Sequence, residues 1–144
     1  MRKFKAILIT IIFLCSVSYP QNIVGKIYAN AEANTLFGQV KTSIPISSMQ
    51  LTNLTYQTTN YLMFRILNGN LTILGDKRII LYPASTKINP QDVFRYASIS
   101  LIQKIIKDGN SSSTLIEIRN NGVLTITNGI YTLEETVECP PFCW

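Results

Sequence analysis

In several stretches of this chain, apolar and polar side chains alternate one by one. In Tyr61–Leu67, Leu62, Phe64 and Ile66 share one parity while Tyr61, Met63 and Arg65 share the other. Successive strand side chains point to opposite faces, so this pattern predicts a strand with the first set turned to a core. Ile116 and Ile118 oppose Glu117 and Arg119 in the same way, and Leu124 and Ile126 oppose Thr125 and Thr127. One dry and one wet face predicts antiparallel pairing. Runs rich in Ile, Leu, Thr, Val and Tyr place strands at residues 36–44, 50–58, 61–67, 70–74, 78–83, 113–119, 123–127 and 129–137.

Turn chemistry punctuates these runs. Asn68-Gly69 and Asn121-Gly122 each separate two apolar stretches, and Asn-Gly accepts the positive φ angles of tight hairpins. Further turns are signalled at Gly75-Asp76-Lys77 and Asn128-Gly129. The stretches RILNGNLTI and EIRNNGVLTI resemble one another; shared hairpin composition is the simpler account, and an internal duplication is the other.

One stretch changes period. Phe94, Ala97, Leu101 and Ile105 recur at three or four residues, with Val93, Ile102 and Ile106 widening the stripe, which predicts an amphipathic helix over 89–108. Asn89 suits its N-cap, Pro90 its first position and Asp92 its first turn, while Gly109 suits a left-handed end. Together these elements predict an α+β domain over residues 34–144. Its antiparallel sheet has seven or eight strands with one amphipathic helix packed on one face, as a roll or an incomplete barrel.

Composition adds a compartment. With 144 residues, 47% hydrophobic and 15% charged, the chain suits a single packed domain and excludes disorder of the charged, weakly apolar kind. The first five residues hold Arg2, Lys3 and Lys5, and the 13 residues 6–18 that follow carry no charge. This is the layout of a secretory signal. As a helix the run spans about 20 Å, short of a hydrocarbon core of about 30 Å. The expectation is a signal peptide at 1–18 and a leader or linker at 19–33. Ser16-Val17-Ser18 and Ala29-Asn30-Ala31 both offer small residues for cleavage, so processing as late as residue 31 stays open. Cys15 follows Leu14, a poor context for lipidation. Without the signal the formal charge of +5 falls to near neutrality, which gives no ground for a nucleic-acid partner and leaves no stable membrane span.

The most restrictive chemical fact is that the sequence has no histidine. Imidazole acid–base catalysis, Ser-His and Cys-His pairs and imidazole metal sites are thereby excluded. No Walker or G-x-G-x-x-G pattern occurs. No cofactor, metal ligand or catalytic residue is therefore assigned. Carboxylates remain, and Glu117 with Glu134 is the one pairing that antiparallel strands bring face to face, an exposed cross-strand pair being its plainer account. Tyrosines fill strand positions because they pack there, yet Tyr56, Tyr61 and Trp144 are candidates for a binding surface if exposed. Asn53, Asn70 and Asn110 head Asn-x-Ser/Thr triplets, acceptors for glycans in a eukaryotic secretory route.

The chain closes on CPPFCW. Loss of the signal removes Cys15 and leaves Cys139 and Cys143, which in an oxidising space favours a disulfide. A thioredoxin-like couple needs a different spacing, and two thiolates without histidine make a poor metal cage. The functional expectation is an exported, non-enzymatic structural or binding module, secreted or periplasmic. Its partner is another envelope protein, a glycan, or a second copy through an edge strand. Alternatives are a small carboxylate-dependent glycan hydrolase and a carrier of a small apolar ligand.

Overall fold

The computed structural model describes residues 22–139; the apolar opening segment, Cys143 and Trp144 lie outside them. The expected α+β, antiparallel character holds. The described residues form ten strands in two five-stranded sheets with three α-helices, where one sheet of seven or eight strands and one helix were expected. The first sheet runs β1 (Lys26–Ala29), β9 (Tyr131–Glu134), β8 (Leu124–Asn128), β7 (Ser113–Arg119), β2 (Val40–Ser47). The second runs β10 (Val137–Cys139), β6 (Phe94–Ser98), β3 (Tyr61–Leu67), β4 (Asn70–Leu74), β5 (Ile80–Tyr82). β1 and the first half of the helix α1 (Asn30–Phe37) come from the stretch expected as leader, and β1 pairs with β9 from Lys26↔Glu134 to Ala29↔Tyr131.

The inner faces of the two sheets share one core. Leu62 and Phe64 of β3, Ile73 of β4, Ile116 of β7 and Ile126 of β8 are all at most 1% exposed and belong to one cluster. Helices α2 (Ser48–Thr55) and α3 (Ile99–Gly109) add Leu51 and Leu54, and Ile99, Ile102 and Ile105, to the same cluster. Each fully buried side chain of this size is worth about 1.5–3 kcal/mol. Helix α3 touches β1, β8 and β9 of one sheet and β6 of the other, so it bridges the sheets and does not lie on one face of a single sheet.

Three local expectations are corrected. Residues 50–58 are not a strand: Ser48, Leu51, Leu54 and Thr55 are buried at helical spacing, and the side chain of Ser47 accepts from the N–H of Gln50 as an N-cap. The helix does not begin at Asn89. Phe94–Ser98 is strand β6, paired with β3 through Leu62↔Ala97 and Met63↔Tyr96, and the helix starts only at Ile99. Phe94 and Ala97 lie three apart, which fits both periods, and backbone pairing to β3 decides between them. Gly109 closes the helix from within. The left-handed residue is Asn110, at φ 50°, one position later.

The hairpin at Asn68-Gly69 is as expected, with φ 51° and 74° and β3–β4 pairing closed at Leu67↔Asn70. The outer faces are not wet. On the first sheet Glu117, Arg119, Thr125, Thr132 and Glu134 are all buried. On the second, Met63, Leu74, Phe94 and Cys139 form a satellite cluster, with Ile80 and Ile88 packed on it, so the segment between β5 and β6 covers that face.

β2, at eight residues, is the longest strand at a sheet edge. The N–H of Ser48, just after β2, donates to the carbonyl of Ser112, just before β7, and strand donors alternate sides, so the N–H that Pro45 lacks would have faced outward. Pro45 and Lys41 guard an edge that could otherwise template another strand. Pro45→Thr is expected to restore that donor and shift the purified protein toward higher oligomers in light scattering, with little change in its circular dichroism. An unchanged monomeric size would show that the edge needs no guard.

Candidate functional site

The end of the second sheet carries the cleft with the most chemistry. The β3–β4 hairpin supplies Leu67, Asn68 and Asn70, and β5 with the following segment supplies Tyr82, Pro83 and Thr86. Arg65 and Thr72, cross-strand partners on β3 and β4, also line it. Its volume is about 460 Å³, within the roughly 300–1,000 Å³ of ligand sites. No acidic side chain lines it, and Arg65 is its one cation.

Arg65 is held in place rather than left to wave. Its Nη1 lies 2.5 Å from Asp92 Oδ2, and its guanidinium stands 4.9 Å from the centre of the Phe94 ring. Arg78 stands 5.1 Å from the same ring, and its Nη2 donates to the carbonyl of Asp92 at 2.8 Å. Two guanidiniums thus stand over one aromatic ring, one on the carboxylate of Asp92 and the other on its main-chain carbonyl, leaving net positive charge. Arg65 Nε and Arg78 Nη1 are buried with no partner among the described residues. The N–H of Asn89 above all holds the Asp92 carboxyl below its usual pKa of 3.8; burial opposes this, and the charges of Arg65 and Arg78 add to it. Asp92 therefore stays ionised through neutral pH, braced against Arg65 and not, as expected, against a helix dipole.

The backbone is strained where it delivers Arg78. Lys77 and Arg78 have φ of 55° and 61° in succession, a conformation that costs an L residue about 1–2 kcal/mol. Asp76, just before them, anchors the turn. Its carboxylate accepts from the N–H groups of Thr59, Asn60 and Tyr61 at 3.0, 2.9 and 3.1 Å. That acid is structural, although it faces a second depression of about 480 Å³ beside Thr58 and Ile79.

Most of the other acids are similarly committed. Glu117 and Glu134 do not sit on paired strands, since β8 runs between them. Glu117 accepts from Thr127 at 2.7 Å, while Glu134 Oε1 accepts from Arg119 Nε at 2.8 Å and from Nη2, with Thr125 Oγ1 at 2.9 Å. Both are buried, at 6% and 0% exposure, so they are not displayed as an exposed pair. Glu138 pairs with Arg95 at 2.5 Å, and Glu135 takes the Tyr28 hydroxyl. Among the described residues, no group of three His, Cys, Asp or Glu side chains is arranged to hold a metal.

The sequence-derived binding candidates do not converge on the cleft. Tyr56 is 76% exposed at the end of α2. Tyr61 donates its hydroxyl to the carbonyl of Asn22 at 3.0 Å and packs edge-on against Tyr96, an internal role. Trp144 and Cys143 lie outside the described residues, while Cys139 is buried beside Phe94. Asn53, Asn70 and Asn110 are all exposed, and Asn70 stands on the rim of the cleft. Arg65 and Asp92 were legible only as a dispersed cation and a helix-cap acid, because 27 residues separate them in sequence. The crevice between the sheets, lined by Phe64, Ile66, Ile118 and Leu124, measures about 130 Å³, below the usual size of a ligand site. No helix among the described residues is long and apolar enough to cross a membrane. Comparison with protein-family models, with curated proteins and with solved structures gives no match, and the site is read from its own geometry.

Proposed function

We propose that the chain is an exported, non-enzymatic binding module of the cell envelope or extracellular space, with the cleft around Arg65 as its ligand site. The observation that carries this reading is a contrast in occupancy. The buried acids Glu117 and Glu134 are engaged by internal partners, whereas a braced arginine lines an open cleft of amides, hydroxyls, aliphatic side chains and one aromatic ring. Strand-edge assembly has less support, since the longest edge strand carries Pro45 and Lys41.

Export carries its own requirement on processing. The N–H of Val24 donates to Ser98 Oγ at 2.7 Å, the N–H of Ser98 returns to the carbonyl of Val24 at 3.0 Å, and β1 follows within the first sheet. Cleavage after Ala31 would strip β1 and cut into α1, so the reading places it upstream of Asn22. A disulfide between Cys139 and Cys143 belongs to the same reading, closing a five-residue loop worth about 2 kcal/mol on loop entropy.

Mass spectrometry of the protein recovered from fractionated cells tests this. The expected species is extracytoplasmic, begins upstream of Asn22 and is two hydrogens lighter than the dithiol form. Full-length cytosolic chain with both thiols alkylatable would overturn it. In parallel, the purified protein incubated with oligosaccharides is expected to release no shortened products. Cleavage abolished by Glu117→Gln or Glu134→Gln would restore the hydrolase alternative.

A further inference from the structure

We propose that the cleft takes a carboxylate-bearing sugar residue of a glycan, with Arg65 gripping the carboxylate. The inference rests on the binding-module reading and names its ligand class. A guanidinium offers two edges for a planar two-oxygen group. Asp92 engages Nη1 of Arg65, at 2.5 Å, and Nη2 is the terminal nitrogen left for a ligand. Its Nε has no partner among the described residues but is shut off from the cleft, so the ligand meets only the part of the side chain that stays exposed, 17% of it.

The second guanidinium matters here. Asp92 is shared with Arg78, which braces its carbonyl and adds its own charge beside Phe94. Asp92 alone therefore does not neutralise the pair, and the field around Arg65 favours an anion. Around that one charge the cleft offers what a sugar uses. Thr86 brings a hydroxyl, Asn68 an amide and Tyr82 a ring with a polar tip, beside the aliphatic Ile44, Leu67 and Leu71. Preorganisation supports the same conclusion, because Arg65 keeps only 17% side-chain exposure and is fixed by Asp92 and Phe94 before any ligand arrives.

The test is a titration of the ¹⁵N-labelled protein with three probes: a glucuronic-acid-bearing disaccharide, cellobiose as its neutral counterpart, and inorganic phosphate. Saturable shifts at the amides of Arg65, Thr72 and Thr86 are expected with the acidic disaccharide alone. Arg65→Gln is expected to weaken that binding roughly tenfold or more. Thr86→Val, which leaves the Arg65–Asp92 pair intact, should weaken it by a smaller factor and serves as the deciding variant if Arg65→Gln does not fold. Equal binding of cellobiose, indifferent to Arg65→Gln, would overturn the sugar-acid assignment while leaving a binding module. Phosphate matching the disaccharide would reduce the site to an anion cradle and overturn it too. Silence with all three probes would remove the cleft from the proposed function, whereas the export reading stands or falls separately on the mass spectrum.

Discussion

Arg119→Met is expected to destabilise the protein by about 3–5 kcal/mol, the range seen when one partner of a buried ion pair is removed. The side chains of Arg119 and Glu134 are 1% and 0% exposed. Arg119 also donates from Nη1 to the carbonyl of Gly38 and, at 3.0 Å, to Asn34 Oδ1, so it ties the loop after α1 to the first sheet. Removing it strands a carboxylate whose second oxygen, Oε2, already lacks a partner among the described residues. Urea denaturation should show a lower midpoint with an unchanged slope. The double variant Arg119→Met, Glu134→Leu is the informative companion. It removes both charges and should recover much of the loss, since an apolar replacement of a buried pair is often neutral. A double variant no better than the single would locate the damage in the contacts to Gly38 and Asn34.

Gly109→Ala should reverse the usual sign of that substitution. Inside a helix the change ordinarily stabilises by about 1 kcal/mol. Here a Cβ on Gly109 would lie 2.3 Å from both the backbone oxygen and Oδ1 of Asn128. Main chain cannot step aside as a rotamer does, so the expected loss is about 3 kcal/mol or more, at or beyond the usual range for overpacking. Asn128 is itself 1% exposed and bound to Ser48 at 2.9 Å and Thr114 at 2.8 Å, so the collision spreads into a buried polar network. Gly122→Ala is the control. Nothing lies within 4 Å of its would-be Cβ and only its φ of 81° resists, so its cost should stay near 1–2 kcal/mol. Thermal melts of the two variants side by side decide the matter. Equal shifts would mean that α3 does not press on the β8–β9 turn as described.

How far the chain could be read in advance varies along its length. β3 and β4 were legible to the residue, because alternation, β-branched content and an Asn-Gly turn all agree there. In α2 they conflicted: Thr52 and Thr55 suggested a strand, while Leu51 and Leu54 packed at helical spacing and Ser47 capped. Tertiary burial settled it. The Asn89-Pro90 signal was a real turn placed before a strand instead of a helix, with the N–H of Asp92 bound to the carbonyl of Asn89. The cleft was the least legible feature, since its cation, brace and rim come from β3, β5 and the segment up to β6.

By itself the sequence determined what depends on neighbours in the chain: strand periodicity, hairpin turns, the apolar stripe of α3 and the exclusion of imidazole chemistry. Only the tertiary structure decided which polar faces are buried, that two sheets form in place of one, and that Arg65, Arg78, Asp92 and Phe94 meet. Local patterns are set by backbone geometry within a few residues. Burial and charge pairing depend on which distant strand arrives alongside, and long-range register is where this sequence carries no local mark.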